Sequence, residues 1–213
     1  MTLKRMVKRM RITDISEFSK AKYKIFIDEE FAFVLYKGEL RQLKIKQGEE
    51  ISKDTYDRIV SEIIPKRARS RAIHLLEKRP YTERDLKEKL SDGLYPDNVI
   101  GSTIEYLKGF GYIDDHAYAV QYIETYTGKK SMKRIMNDLM LKGVDKDIIR
   151  EESEKLKESG ELEDEETLAR RLLQKRGYDP ENADRKETAS ALRFLYSKGF
   201  SADTVSKVIR EIF

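Results

Sequence analysis

The chain has 213 residues, 39% hydrophobic and 38% charged, with 43 Lys and Arg against 39 Asp and Glu. That apolar share is low for a single compact globule and suits thin helical units with much exposed surface. The lack of cysteine excludes disulfides, thiolate nucleophiles and thiolate metal sites and fits a reducing cytoplasm, and no run of 18 apolar residues offers a membrane span; the chain is expected to be cytoplasmic, and a monomer is expected as well.

The first residues, Met1 to Arg11, carry Lys4, Arg5, Lys8, Arg9 and Arg11 with no apolar signal-peptide core behind them. Two readings stay open here: an amphipathic arm that touches phosphate or lipid, and a disordered tail. Tyr23–Ile27 is aromatic and β-branched and reads as a strand, Asp28-Glu29-Glu30 as a turn, and Phe31–Tyr36 as the returning strand. A lone hairpin is marginal in water, so it must lean on Leu40, Leu43 and a helix expected from about Asp54 to Ile64, capped by Ser52.

From Pro65 onward no strand is expected, and a short pattern recurs three times. It reads Gly, apolar, two residues, Asp, one residue, Val or Ile. The copies start at Gly93, Gly143 and Gly199. Glycine tolerates positive φ and ends a helix, and the apolar residue after it can pack back. Asp145 and Ser201 are good N-caps for the next helix, and Tyr95 is a poor one; Pro96 is placed at the first helical position. Each copy is therefore a joint between two amphipathic helices. Leu86 and Leu90 precede the first joint, Ile135 and Leu139 the second, and Leu192 and Leu195 the third. A further helix opens each unit, at about Lys66–Arg79, Asp115–Tyr126 and Glu165–Arg176, and Thr82 with Asp85 offers a capping start for the second helix of the first unit. The expected fold is mainly α. It has an N-terminal region with a β-hairpin and a helix (residues 1–64), then three tandem three-helix repeats (65–113, 114–160 and 161–213). These give nine helices in an elongated or curved array.

Leu107-Lys108-Gly109-Phe110-Gly111-Tyr112-Ile113-Asp114-Asp115-His116-Ala117-Tyr118-Ala119 resembles the signature Leu-x-x-Leu-Gly-Tyr-Leu-Asp-Asp-x-x-Phe/Tyr-Ala of RecX regulatory proteins. The stretch from Gly128-Lys129-Lys130 to Gly143-Val144 and the run Leu192–Phe200 are similar to the segments that follow in that family. The likeness covers about Arg69 to Phe213 and departs from the pattern at Phe110, usually Leu, and in a long loop at Gly177–Asp184. What it implies is a non-enzymatic regulator that binds in the groove of the RecA–DNA filament. Such a regulator modulates, and most often inhibits, strand exchange and co-protease activity, and so acts in DNA recombination, repair and the SOS response. A weak direct DNA contact beside the filament is also expected. Two other functions stay in view. One is a helical-repeat protein that binds DNA directly and acts without RecA. The other is an adaptor between two proteins. Against the DNA reader, the third helices Pro96–Lys108 and Lys146–Glu158 are not basic recognition helices.

No residue stands in a catalytic setting, and no cofactor or metal is expected. Gly109-Phe110-Gly111 follows no strand and is not a phosphate loop. His74 and His116 have no partner at metal-ligand spacing in the sequence, and Asp114 or Asp115 reads as the cap of the helix that carries Tyr118. The charge clusters are the candidate partner-binding residues: Lys129, Lys130, Lys133 and Arg134 in the second repeat, and Arg170, Arg171, Lys175 and Arg176 in the third. A third basic group, Lys66, Arg67, Arg69 and Arg71, precedes the first repeat. Glu151 to Glu166 carries nine carboxylates against Lys155 and Lys157, a net of −7. Such segregation suggests a partner with charged grooves of its own. The 129–134 cluster is expected to lie opposite the stripe of Met132, Ile135, Met136 and Leu139, so that charge reversal at Lys130 and Arg134 would spare the fold.

Overall fold

The computed structural model describes residues 10–160 and 162–210; of the basic start, Lys4, Arg5, Lys8 and Arg9 lie outside them. Among the described residues the N-terminal part is a small antiparallel sheet. β1 (Met10–Ser19), β2 (Lys22–Ile27) and β3 (Glu30–Tyr36) form a meander, and β4 (Glu50–Ile51) pairs with the start of β1, giving the order β3-β2-β1-β4. The expected hairpin is β2 with β3, set in register by Ile25 opposite Phe33. The expectation lacked β1, which the structure adds beside it with Ile15 opposite Ile25 and Ile12 opposite Ile27. β1 buries only Ile12, and Ile12, Ile15 and Phe18 are spaced by three rather than two, which is why alternation did not mark it.

Behind the sheet come α1 (Lys37–Gln42) and α2 (Lys53–Arg58), and Ser52 caps α2 by accepting from the Thr55 amide at 3.2 Å. α2 does not stop near Ile64. It passes through a π-turn at Ile59–Ile63 straight into α3 (Ile64–Leu76), with Pro65 in the first turn of α3. Proline has no N–H to give and its ring presses on the carbonyl four residues back, so a wider turn just ahead of Pro65 lets the helix continue. The sheet leans on this helix as expected: the Phe33 and Tyr56 rings lie 5.9 Å apart and Ile59 is fully buried. Arg67, read as part of a surface cluster, is instead an internal tie. Its guanidinium pairs with Glu39 at 2.8 Å, donates to the Val34 carbonyl at 2.6 Å and lies over the rings of Tyr36 and Tyr95.

Nine helices follow Ile63 among the described residues. After α3 come α4 (Glu83–Ser91), α5 (Asp97–Gly109), α6 (Asp115–Tyr126), α7 (Met132–Leu141), α8 (Lys146–Glu158), α9 (Glu165–Lys175), α10 (Arg185–Ser197) and α11 (Ala202–Arg210). The chain divides into two compact units. One holds the residues up to Pro80 together with Leu86–Ile113; the other holds Tyr81–Asp85 and the residues from Asp114 onward. In the first, Ile64, Ala68 and Ala72 of α3 are buried, as are Leu86 and Leu90 of α4 and Ile104 and Leu107 of α5. The second has two apolar clusters, one built on Ile123, Ile135, Leu139 and Ile149, the other on Leu168, Leu172, Leu195 and Val208.

Gly143 (φ +81°) and Gly199 (φ +88°) end their helices in the left-handed region, as the repeated pattern requires. The first copy differs: Leu94 (φ +56°) takes that conformation, and Pro96 is the N-cap of α5 rather than its first helical residue. Gly93 leaves room there for the Tyr95 ring, which a Cβ would approach to 3.0 Å. The second and third joints share one further contact. The Lys142 carbonyl accepts from the Thr82 hydroxyl at 2.7 Å, and the Lys198 carbonyl accepts from the Ser131 amide at 3.0 Å. Thr82 and Ser131 are fully buried, and each also caps a helix, accepting from the amides of Asp85 and Arg134. The bare face of each glycine rests on that same first turn, on Arg84 for Gly143 and on Arg134 for Gly199.

Candidate functional site

The two candidate clusters of the second and third repeats converge in part. A groove of about 680 Å³ runs between α7 and the start of α9, floored by Met132, Met136, Met140 and Leu168 and edged by Lys130, Lys133, Lys157 and Arg171. Lys175 and Arg176 do not reach it; Arg176 lies over the Phe194 ring and donates to the Ser190 hydroxyl.

Within the groove the cations play two different parts. Lys130 is committed to the fold. Its ammonium pairs with Asp138 at 2.8 Å, contacts the Tyr122 hydroxyl at 3.3 Å and sits 4.0 Å from the centre of the Tyr126 ring. Arg134 holds the other oxygen of Asp138 at 3.0 Å, and Tyr122 donates to that carboxylate as well. Burial opposes the charge on Asp138, but hydrogen bonds from Lys130 and Tyr122 and the two cations outweigh it and hold the carboxyl below its ordinary range. Burial likewise opposes the charge on Lys130, and the bonds to Asp138 and Tyr122 raise it overall. Charge reversal at Lys130 and Arg134 therefore strikes a built network, which corrects the expectation that it would spare the fold.

Arg171 is similarly tied down. It grips Glu163 at 2.7 Å and donates to the Gly128 carbonyl at 3.2 Å, and its pairing with Glu163 raises its pKa. Arg170 pairs with Glu166 at 3.6 Å. Among the described residues Lys129, Lys133, Lys175 and Arg176 are exposed and have no carboxylate partner; Arg176 is held by the Phe194 ring and the Ser190 hydroxyl, so of the eight candidates Lys129, Lys133 and Lys175 keep the charges most open to a partner. Much of the acidic run is spent inside the unit. Asp164 caps α9 through the amides of Glu166 and Thr167, Glu163 holds Arg171, and Glu166 holds Lys207 at 2.8 Å.

His116 has neighbours that its sequence context did not show. Its Nε2 lies 3.0 Å from Glu152, and Glu151 stands close enough for all three to offer ligand atoms within 4.8 Å of one another. Lys155 bridges both carboxylates at 2.8 Å each, which offsets one of their two negative charges from within. Asp114 caps α6 through the amides of His116 and Ala117, and Asp115 accepts from the Glu83 amide at 2.8 Å, so the paired aspartates act as caps.

Three family models match in succession: the RecX first three-helix domain at residues 68–107, the second at 114–151 and the third at 163–209. The chain is 31% identical over 203 residues to the regulatory protein RecX of Caldanaerobacter subterraneus subsp. tengcongensis, covering 94% of this chain and 98% of that protein. It is 26% identical over 198 residues to the regulatory protein RecX of Clostridium botulinum (strain Eklund 17B), covering 93% of each. A crystal structure of a regulatory protein RecX is similar at a TM-score of 0.55 and 26% identity, covering 95% of this chain and 99% of that one. No described helix is long and apolar enough to cross a membrane. With the helices, joints and N-terminal sheet arranged as described, these matches along nearly the whole chain mean that the protein belongs to the RecX family of regulatory proteins.

Proposed function

We propose that this protein is a non-enzymatic regulator that binds the RecA filament on DNA and inhibits its strand exchange and co-protease activities. It would act in the cytoplasm, as a monomer, in recombination and repair. The observation that carries the reading is the match to proteins named for regulation along 94% of the chain. The charge pattern supports it. Lys129, Lys133 and Lys175 are held on folded elements without internal partners, as a filament surface that mixes protein and phosphate would require. Lys130 and Arg171 edge the groove, and their charges, like that of Arg134, are already answered.

The test is a titration of the protein into RecA filaments on single-stranded DNA, reading strand exchange and ATP turnover. Suppression that grows with the amount of protein added is expected. Lys129→Glu with Lys133→Glu should keep the melting temperature and weaken filament binding at least ~10-fold, about 1.4 kcal/mol. Filaments whose activity is unchanged by saturating wild-type protein would refute the reading.

A further inference from the structure

At the end of α5 three aromatic side chains stand in water in a row. Tyr106 is 39% exposed, Phe110 66% and Tyr112 58%. Their ring centres are 4.8 Å apart from Tyr106 to Phe110 and 6.4 Å from Phe110 to Tyr112. The row is fixed by the fold. α5 buries Ile100, Thr103, Ile104 and Leu107, and Tyr106 and Phe110 share a different side of it at i, i+4 spacing. Gly111, at φ +70°, then turns the chain so that Tyr112 comes alongside. Phe110 is also where this sequence departs from the leucine of the signature it resembles, so the middle ring is a feature of this chain.

Positive charge accompanies the rings. The Arg69 guanidinium, from α3, lies 4.7 Å from the centre of the Tyr106 ring. Along the same side of α3 runs a shallow groove of about 700 Å³ that includes Lys66, Arg69 and Ser70 with Glu62 and Glu77. Of the two carboxylates, Glu62 pairs with Arg58 at 3.8 Å, and Glu77 lies 3.5 Å from the His74 ring at the far end of the groove. Lys66 and Arg69 have no carboxylate partner among the described residues. An apolar protein segment would use the rings and leave these cations idle, and a duplex would use the cations but keep its base faces stacked inside. A strand of unpaired bases on a phosphate backbone uses both, since every base has a face to stack and a phosphate to neutralise.

We propose that Tyr106, Phe110 and Tyr112, with Arg69 and Lys66, form a stacking platform for single-stranded nucleic acid. The site needs no filament protein, so it stands or falls apart from the RecA reading.

The experiment uses the full chain alone and a fluorescein-labelled oligodeoxythymidylate of about 20 nucleotides, read by anisotropy at low salt, with a duplex of equal length as competitor. Phe110→Leu with Tyr112→Leu keeps the apolar contact and removes the π faces, and both side chains are mostly exposed, so melting should not change. The expected result is that the wild type prefers the single strand to the duplex and that the double variant binds the single strand at least ~10-fold more weakly. Arg69→Ala should reduce the salt dependence of binding. No binding of the oligonucleotide by the wild type, a preference for duplex, or equal affinity of a folded double variant would each overturn the proposal. Equal affinity would mark the rings as a docking surface for protein.

Discussion

Asp138 accepts from Lys130, Arg134 and Tyr122, and three cooperating donors make one carboxylate a pH-dependent part of the fold. Its pKa is lowered in the folded chain, so its contribution is fully present above the ordinary Asp range near ~3.9 and is lost as pH falls through the lower folded value. Asp138→Asn should therefore destabilise the protein by about 1–3 kcal/mol at neutral pH, because Lys130 loses its counter-charge in a half-buried place. The difference between wild type and variant in denaturant midpoint should shrink below pH ~3.5. A constant difference down to pH ~2 would show that the contribution of Asp138 does not come from its charge, and no difference at neutral pH would show that the network adds nothing to stability. The same residues mark where sequence reading stops. Lys130 and Lys133 belong to one basic run, yet Lys130 reaches Asp138 eight residues on and the Tyr126 ring four residues back, whereas Lys133 faces outward. Composition counts them alike; only the turn between α6 and α7 separates them.

The helices and their joints were the most legible elements, for a local reason: a glycine, an N-cap and a three-four apolar spacing all act within one or two turns. α6 and α8 fall on the residues that the pattern predicts. β1 and the π-turn were not legible. β1 exists because β2 offers it a partner, with Thr13 accepting from the Glu29 amide and Asp28 from the Arg11 amide across the turn, and its own residues are mostly polar. The π-turn exists because Pro65 is carried through a helix that sequence rules would end. At the joints, positive φ and close packing can be told apart by two glycines. Gly143 needs both, since a Cβ there would strike Arg84, while Gly177 (φ +79°) has open space around its missing Cβ. Gly177→Ala should cost only the strain of a left-handed residue, about 1 kcal/mol, and Gly143→Ala at least ~1 kcal/mol more through overpacking against α4. Equal shifts in thermal melting would mean that the Arg84 contact yields without cost.

Over the whole molecule the net charge is only +4, so attraction to a filament cannot come from bulk charge and must come from the few cations that the fold leaves unanswered. Half of the eight candidate basic residues, Lys130, Arg134, Arg170 and Arg171, are already paired with carboxylates, and a paired cation releases few counterions when it meets phosphate. This makes the salt dependence of filament binding a measure of how many free charges touch DNA rather than RecA. If Lys129, Lys133 and Lys175 all lie on phosphate, a plot of log affinity against log salt should lose up to about 2 units of slope when the three become Gln, near 0.7 for each contact to a single strand. If they lie on acidic side chains of RecA, affinity should fall with little change in slope, because protein carboxylates carry no condensed counterion layer to release. Lys130→Gln is the control, since a cation already paired with Asp138 should alter melting more than slope. A slope unchanged by all four substitutions, with affinity also unchanged, would remove these lysines from the contact and turn the search to the face of α3 and α5.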